Sequence, residues 1–215
     1  MSDITIKLPD GTQKVMPSDT TALSLASSIS RNLAKAAVSA VVNDGEVDLS
    51  TVLNDGDVVQ IITVDSDAGR HVLRHSTAHV MAQAVLRMYP GAKYTIGPAI
   101  ENGFYYDFDL GDRVFNEDDL SLVEDTMRKI IAANQPFVRS EIPVSEALAL
   151  FSSQTYKCEI ITRVTGGGAD SVDNAEVGGS GDSVSIYRNS DEFVDLCLGP
   201  HVASTGRLGH FKLQK

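Results

Sequence analysis

Asp65-Ser66-Asp67-Ala68-Gly69 followed by Arg70-His71-Val72-Leu73-Arg74-His75-Ser76-Thr77-Ala78-His79-Val80-Met81 is the stretch that divides this chain. The first five residues are small and acidic, with no apolar side chain large enough to hold a core, and read as a linker. From Arg70 the apolar residues recur at helical spacing until Pro90-Gly91 stops them, which predicts one long helix. Leu73, Thr77, Val80, Met81, Ala84 and Met88 form one stripe of that helix, the packing face. His75 and His79, with Ala78 and Ala82, fall on the opposite side and make a separate, His-bearing face.

Before the linker, Ile4 to Leu8 alternates apolar and polar residues, and Pro9-Asp10-Gly11 turns the chain toward Val15, a hairpin pattern. Ser18 or Asp19 can cap a short helix carrying Leu23, Leu25, Ala26 and Ile29. Val38 to Val42, Leu49 and Val58 to Val64 then read as strands, with turns at Asn43-Asp44-Gly45 and Asn54-Asp55-Gly56. The result is a small α+β unit over residues 1–64, close to the size at which a lone core becomes marginal.

After the helix, Phe104, Tyr106 and Phe108 share one face of a strand that follows Asn102-Gly103. Asn116 caps an amphipathic helix with an acidic first turn, and Gln135-Pro136 ends it. Ser145 starts a shorter helix, Tyr156 to Val164 reads as a strand, and residues 166–181 form a Gly-rich surface loop. That loop lacks the Gly-Lys-Ser/Thr ending of a phosphate-binding loop. Ser183 to Tyr187 and Phe193 to Cys197 are the last strands, so residues 65–215 make a second, larger α+β domain.

The composition narrows the function classes. No apolar run reaches the roughly 20 residues that span a bilayer, and Met1-Ser2-Asp3-Ile4-Thr5 lacks a basic and then apolar leader, so a cytoplasmic protein is expected. Two cysteines, Cys158 and Cys197, are too few for a disulfide framework. The net charge of -11 argues against a broad nucleic-acid face, because phosphate binding needs clustered Lys and Arg; a local contact to an RNA end stays open.

His75 and His79 are four residues apart, and Cys197 and His201 repeat that spacing in Asp195-Leu196-Cys197-Leu198-Gly199-Pro200-His201. On a helix such a pair can reach one point, and the second pair could supply the other half of a site. A His-Glu-x-x-His protease is excluded because Ser76 stands where the Glu is needed. Two chemistries remain: a zinc site on His75, His79, Cys197 and His201, or metal-free hydrolysis in which His and Lys hold a water. Taken alone, Tyr106 is a core aromatic, Lys157 a strand-end lysine and Cys197 a small buried hydrophobe, while His71 and His210 have no motif partner.

His75-Ser76-Thr77-Ala78-His79, Ile96-Gly97-Pro98, Asn102-Gly103-Phe104-Tyr105-Tyr106-Asp107, Tyr156-Lys157 and Asp195 to His201 together resemble, in order, the editing domain of bacterial threonyl-tRNA synthetases. Residues 1–64 look like the ubiquitin-like β-grasp domain, TGS, that precedes it in that family. The resemblance implies an N-terminal editing fragment without the synthetase core, which alone would use ATP to attach Thr to tRNA(Thr). The implied reaction is hydrolysis of seryl-tRNA(Thr). Ser lacks one methyl of Thr, and a difference of that size gives only about 1 to 3 kcal/mol of discrimination, so a second sieve is needed.

Carried over residue by residue, the resemblance implies His75 and Lys157 as the catalytic pair that positions or activates the water. Tyr106, Asp195 and His201 bind the serine moiety or terminal adenosine, and His79 and Cys197 complete the pocket. It also implies editing without a required metal, the acceptor end of tRNA(Thr) as partner, and a full-length homodimer formed through domains outside this chain. The alternatives from the residues are a non-catalytic zinc-binding interaction module and a freestanding trans-editing deacylase.

Overall fold

The computed structural model describes residues 3–166, 177, 179–180 and 182–214. The chain separates into two compact units, one comprising Met1–Arg74 with Gly199–Ala203 and the other His75–Leu198 with Ser204–Lys215. No helix among the described residues is long and apolar enough to cross a membrane.

In the first unit β1 (Asp3–Lys7) and β2 (Gln13–Pro17) form the expected antiparallel hairpin. Alternation turns Ile4 and Ile6 inward, where both are buried. Helix α1 (Ala22–Ile29) is capped by Thr21, whose hydroxyl accepts from the Ser24 N–H, and not by the expected Ser18 or Asp19. Ser30 caps α2 (Arg31–Ala36) at once, a short helix that the apolar pattern did not announce because none of its residues is buried. Strand β3 (Ala37–Val42) lies between β4 (Gly45–Val47) and β5 (Val59–Thr63), and Lys7 bridges in parallel to Val58. Asn43 and Asp44 take positive φ, 50° and 72°, which suits residue types whose short polar side chains tolerate the left-handed region. Leu49, expected in a strand, instead lies in the turn region after β4 and is buried with Ile4, Ile6, Leu25, Leu53 and Val59. Sheet and helix enclose that core in a β-grasp fold.

Helix α3 (Asp67–Met88) begins three residues before Arg70, with the Asp67 carboxylate in its first turn near the positive end of the helix dipole. It continues into the second unit. There its expected division into a packing face and a His-bearing face does not hold, since His75 to Val80 are buried without interruption. Ala78 and Ala82, assigned by periodicity to the His side, pack with Tyr94, Tyr106 and Phe193 in a hydrophobic cluster.

Two short ladders follow, β6 (Lys93–Tyr94) with β9 (Phe108–Asp109) and β7 (Ala99–Ile100) with β8 (Gly103–Phe104). Tyr106 lies between β8 and β9, outside any strand, yet is buried in the cluster that Phe104 and Phe108 pack against. Asn116 caps α4 (Glu117–Ala132) as expected, with a capping box to Asp119. Strand β10 (Phe137–Pro143) leads to α5 (Val144–Leu150) and α6 (Thr155–Thr165). The segment Tyr156 to Val164 is therefore helix, not the strand its Ile and Val content suggested. Its buried residues, Lys157, Ile160, Ile161 and Val164, follow a helical stripe whose first member is a charged side chain.

Most of residues 166–181, the expected Gly-rich loop, lies outside the described residues, while β11 (Gly179–Ser180) pairs with β12 (Ser183–Asn189). Strand β12 also pairs with β10 and β13 (Phe193–Leu196), all antiparallel. Val184, Ile186 and Leu196 pack with Phe151, Ile160 and Ile161 beneath α5 and α6.

Candidate functional site

The two-residue period of β13 sorts its side chains. Leu196 belongs to the core under α6, with Val194 packed against it, whereas Phe193 joins Ala78, Ala82 and Tyr106 on the side of α3. Asp195 follows Phe193 by that period, and Cys197 comes just after the strand. Both are buried, at 1% exposure each.

On α3, His75 and His79 are one turn apart, and their rings meet edge to face at 4.9 Å between centroids. His75 Nε2 lies 3.0 Å from Cys197 Sγ. His79 Nδ1 lies 3.6 Å from Asp195 Oδ2. The Oδ2 oxygen accepts from the Tyr106 hydroxyl, while Asp195 Oδ1 accepts from the Lys157 ammonium. Lys157 is fully buried, 3.3 Å from the Tyr106 hydroxyl and 4.6 Å above the Tyr94 ring centre, a cation–π contact.

Six of the seven site residues expected from the sequence thus come together in the second unit. The seventh, His201, lies on Gly199–Ala203, which groups with the first unit; it is buried, and its backbone N–H donates to Asp48 Oδ1 at 2.9 Å. Tyr94 was not foreseen, because a buried aromatic beneath a lysine leaves no spacing signal. Gly97 occurs in the Ile96-Gly97-Pro98 motif without a role assigned to it. A Cβ there would fall 2.0 Å from Tyr106 Cδ2, so only glycine lets the backbone lie this close to the ring.

Burial sets the protonation of the group. It raises the Asp195 carboxyl above its usual range, the Lys157 ammonium and Tyr106 hydroxyl opposing it only in part. The Tyr94 and Tyr106 hydroxyls are pushed well up by burial and then by Asp195. His79 is pushed well below 6.5, by burial first and then by His75 and Lys157. A depressed folded-state value means that below about pH 6.5 the unfolded chain takes up a proton that folded His79 refuses. Its contribution to stability is present above that pH and is lost as pH falls toward the depressed value, by up to about 1.4 kcal/mol per pH unit. Denaturant midpoints measured across this window should show the loss in the wild type and a flatter curve in His79→Gln.

His75, His79, Gly97, Tyr106, Asp195 and Cys197, with Ile96 and Leu196, line a cavity of about 10 Å³, room for about one water centre. Lys157 does not line it and bears on it through Asp195 and Tyr106. Tyr106 is shared with a larger cavity of about 480 Å³, walled by Phe104, Tyr105, Phe108 and Phe115 with Lys212 among its lining residues. His75, His79 and Cys197 offer donor atoms within 4.8 Å of one another, a group that could hold a metal ion. Two imidazoles and a thiolate suit zinc.

Residues 4–63 match the TGS domain, and residues 184–215 match the threonyl and alanyl tRNA synthetase second additional domain. The chain is 45% identical over 215 residues to the threonine–tRNA ligases of Magnetococcus marinus and of Pelobacter propionicus, covering 99% of this chain and 31% of each relative. This chain pairs a TGS domain with an editing-type domain, as the N-terminal part of threonine–tRNA ligases does. The ligase of Rubrobacter xylanophilus is 43% identical over 210 residues, 98% of this chain and 30% of its own length. The chain spans about a third of the length of these threonine–tRNA ligases. Asp195, Cys197 and His201 fall within the second-additional-domain match; His75, His79, Tyr106 and Lys157 precede it.

Proposed function

We propose that this chain is an aminoacyl-tRNA deacylase that hydrolyses the ester of seryl-tRNA(Thr). The observation that carries the proposal is the water-sized cavity bounded by His75, His79, Tyr106, Asp195 and Cys197 in a chain with an editing-type domain. His75 holds a water and takes its proton as the oxygen attacks the seryl carbonyl. The C–O bond to the terminal ribose then breaks, the ribose oxygen receives a proton, and free serine and tRNA result.

Lys157 is a positioning residue in this scheme. Its charge sits against Asp195 and the Tyr106 hydroxyl, and so fixes the two groups placed to bind the serine hydroxyl and amine. His79 and Cys197 close the wall. The larger aromatic cavity that shares Tyr106 offers the terminal nucleoside a stacking surface. The partner is therefore the acceptor end of tRNA(Thr), met locally by a chain whose net charge is -11.

The donor set of His75, His79 and Cys197 favours a second reading, a zinc-binding module. When bound, zinc would supply Lewis acidity if one position stayed open and rigidity if all four were filled. The assay that decides is deacylation of seryl-tRNA(Thr) and threonyl-tRNA(Thr) by the purified chain, with its zinc content measured. Loss of Ser alone supports the deacylase. Stoichiometric zinc with no deacylation of either substrate supports the module.

A further inference from the structure

We infer that the ring face of Tyr94 holds the Lys157 ammonium in place, which makes Tyr94 a further positioning residue of the site, acting through Lys157. The inference rests on the role proposed above for Lys157. Tyr94, Lys157 and the groups that hold them all belong to the second unit.

Lys157 has no exposed surface, so its ammonium depends wholly on the groups packed around it. An ammonium offers three donors. Asp195 Oδ1 accepts from one and the Tyr106 hydroxyl, at 3.3 Å, from a second. The Tyr94 ring centre lies 4.6 Å from Nζ, nearer than that of Tyr106 at 5.8 Å. The negative face of an aromatic ring attracts a cation at such a distance, most strongly where water is excluded. Two hydrogen bonds leave the ammonium free to swing about them, and the ring supplies the third direction that stops it.

The ring is itself fixed. Tyr94 ends β6, pairs with Phe108 across the ladder and is 3% exposed. Its hydroxyl donates to the Val194 carbonyl at 2.7 Å, one residue before Asp195. The Lys93 ammonium donates to the Ser153 carbonyl at 2.7 Å, and the Gln154 side chain to the Ala92 carbonyl at 3.1 Å. These bonds tie the β6 segment to the residues that lead into α6, so the ring and the lysine share one frame.

The test separates the ring face from its bulk and its hydroxyl. In seryl-tRNA(Thr) deacylation, Tyr94→Leu should lower kcat by roughly 10- to 30-fold with KM little changed, the effect of losing a desolvated cation–π contact, and Tyr94→Phe should recover most of the rate. Phenylalanine analogues at position 94 with successively more ring fluorines keep the shape and drain the negative charge from the face, and kcat should fall stepwise along them. The denaturant midpoint should fall along the same series relative to the series made in a Lys157→Met/Asp195→Leu background, where no cation meets the ring. A kcat that ignores fluorination overturns the inference. So does a Tyr94→Phe variant as slow as Tyr94→Leu, which would assign the effect to the hydroxyl, and so do equal midpoint slopes in the two backgrounds. If the wild type releases no serine, the proposed function fails, and the two midpoint series still decide whether the ring holds Lys157.

Discussion

Asp195→Ala should destabilise the second unit by about 3 to 5 kcal/mol, the cost of leaving a buried charge without its partner. Lys157 and Asp195 are 0% and 1% exposed, so no solvent stands ready to replace the lost carboxylate. The Tyr106 hydroxyl loses its acceptor in the same step. Folded domains have about 5 to 15 kcal/mol in total, so the effect should be plain in denaturant unfolding. Asp195→Asn retains an acceptor for Tyr106 and should fall between.

The double variant Lys157→Met/Asp195→Leu removes both charges and should recover most of the loss, since apolar replacement of a buried pair is often neutral or stabilising by about 1 to 4 kcal/mol. It should nevertheless remain inactive toward seryl-tRNA(Thr). Recovered stability without activity would show that the pair serves the chemistry. A double variant as unstable as Asp195→Ala would instead locate the pair's role in packing.

His75→Ala should reduce seryl-tRNA(Thr) deacylation by about 10²- to 10⁴-fold, the usual contribution of a positioned acid or base. That corresponds to about 3 to 5 kcal/mol of barrier. His75 is the histidine that both lines the cavity and touches Cys197 Sγ. His71→Ala is the matched control: it lies on the same helix, is exposed, and should leave the rate unchanged. Equal rates in His75→Ala and wild type would remove His75 from the mechanism.

Most of the first unit was legible because its turns use residues with one physical purpose. Asn43-Asp44 takes positive φ where its chemistry predicts, and Ile4 and Ile6 alternate inward as a two-residue period requires. The meeting of His75, His79 and Cys197 was legible from two matching spacings. What failed did so where a polar side chain occupies a core position. Lys157 begins the buried stripe of α6, so the remaining Ile160, Ile161 and Val164 looked like strand content. The His face of α3 read as separate from the packing face for the same reason, since histidine gives no apolar signal even when it faces aromatic rings. Gly97 and Tyr94 matter through a close approach and a ring face, neither of which leaves a period.

The cavity bounded by the two histidines has a consequence for turnover. At about 10 Å³ it has room for about one water centre, so the proposed deacylase is expected to widen it when a seryl group enters. Were that widening slow, its frequency and not the chemical step would set the rate. A misacylated end that stays bound through several openings is cleared, and one that dissociates sooner escapes, which makes residence time as much a determinant of fidelity as fit.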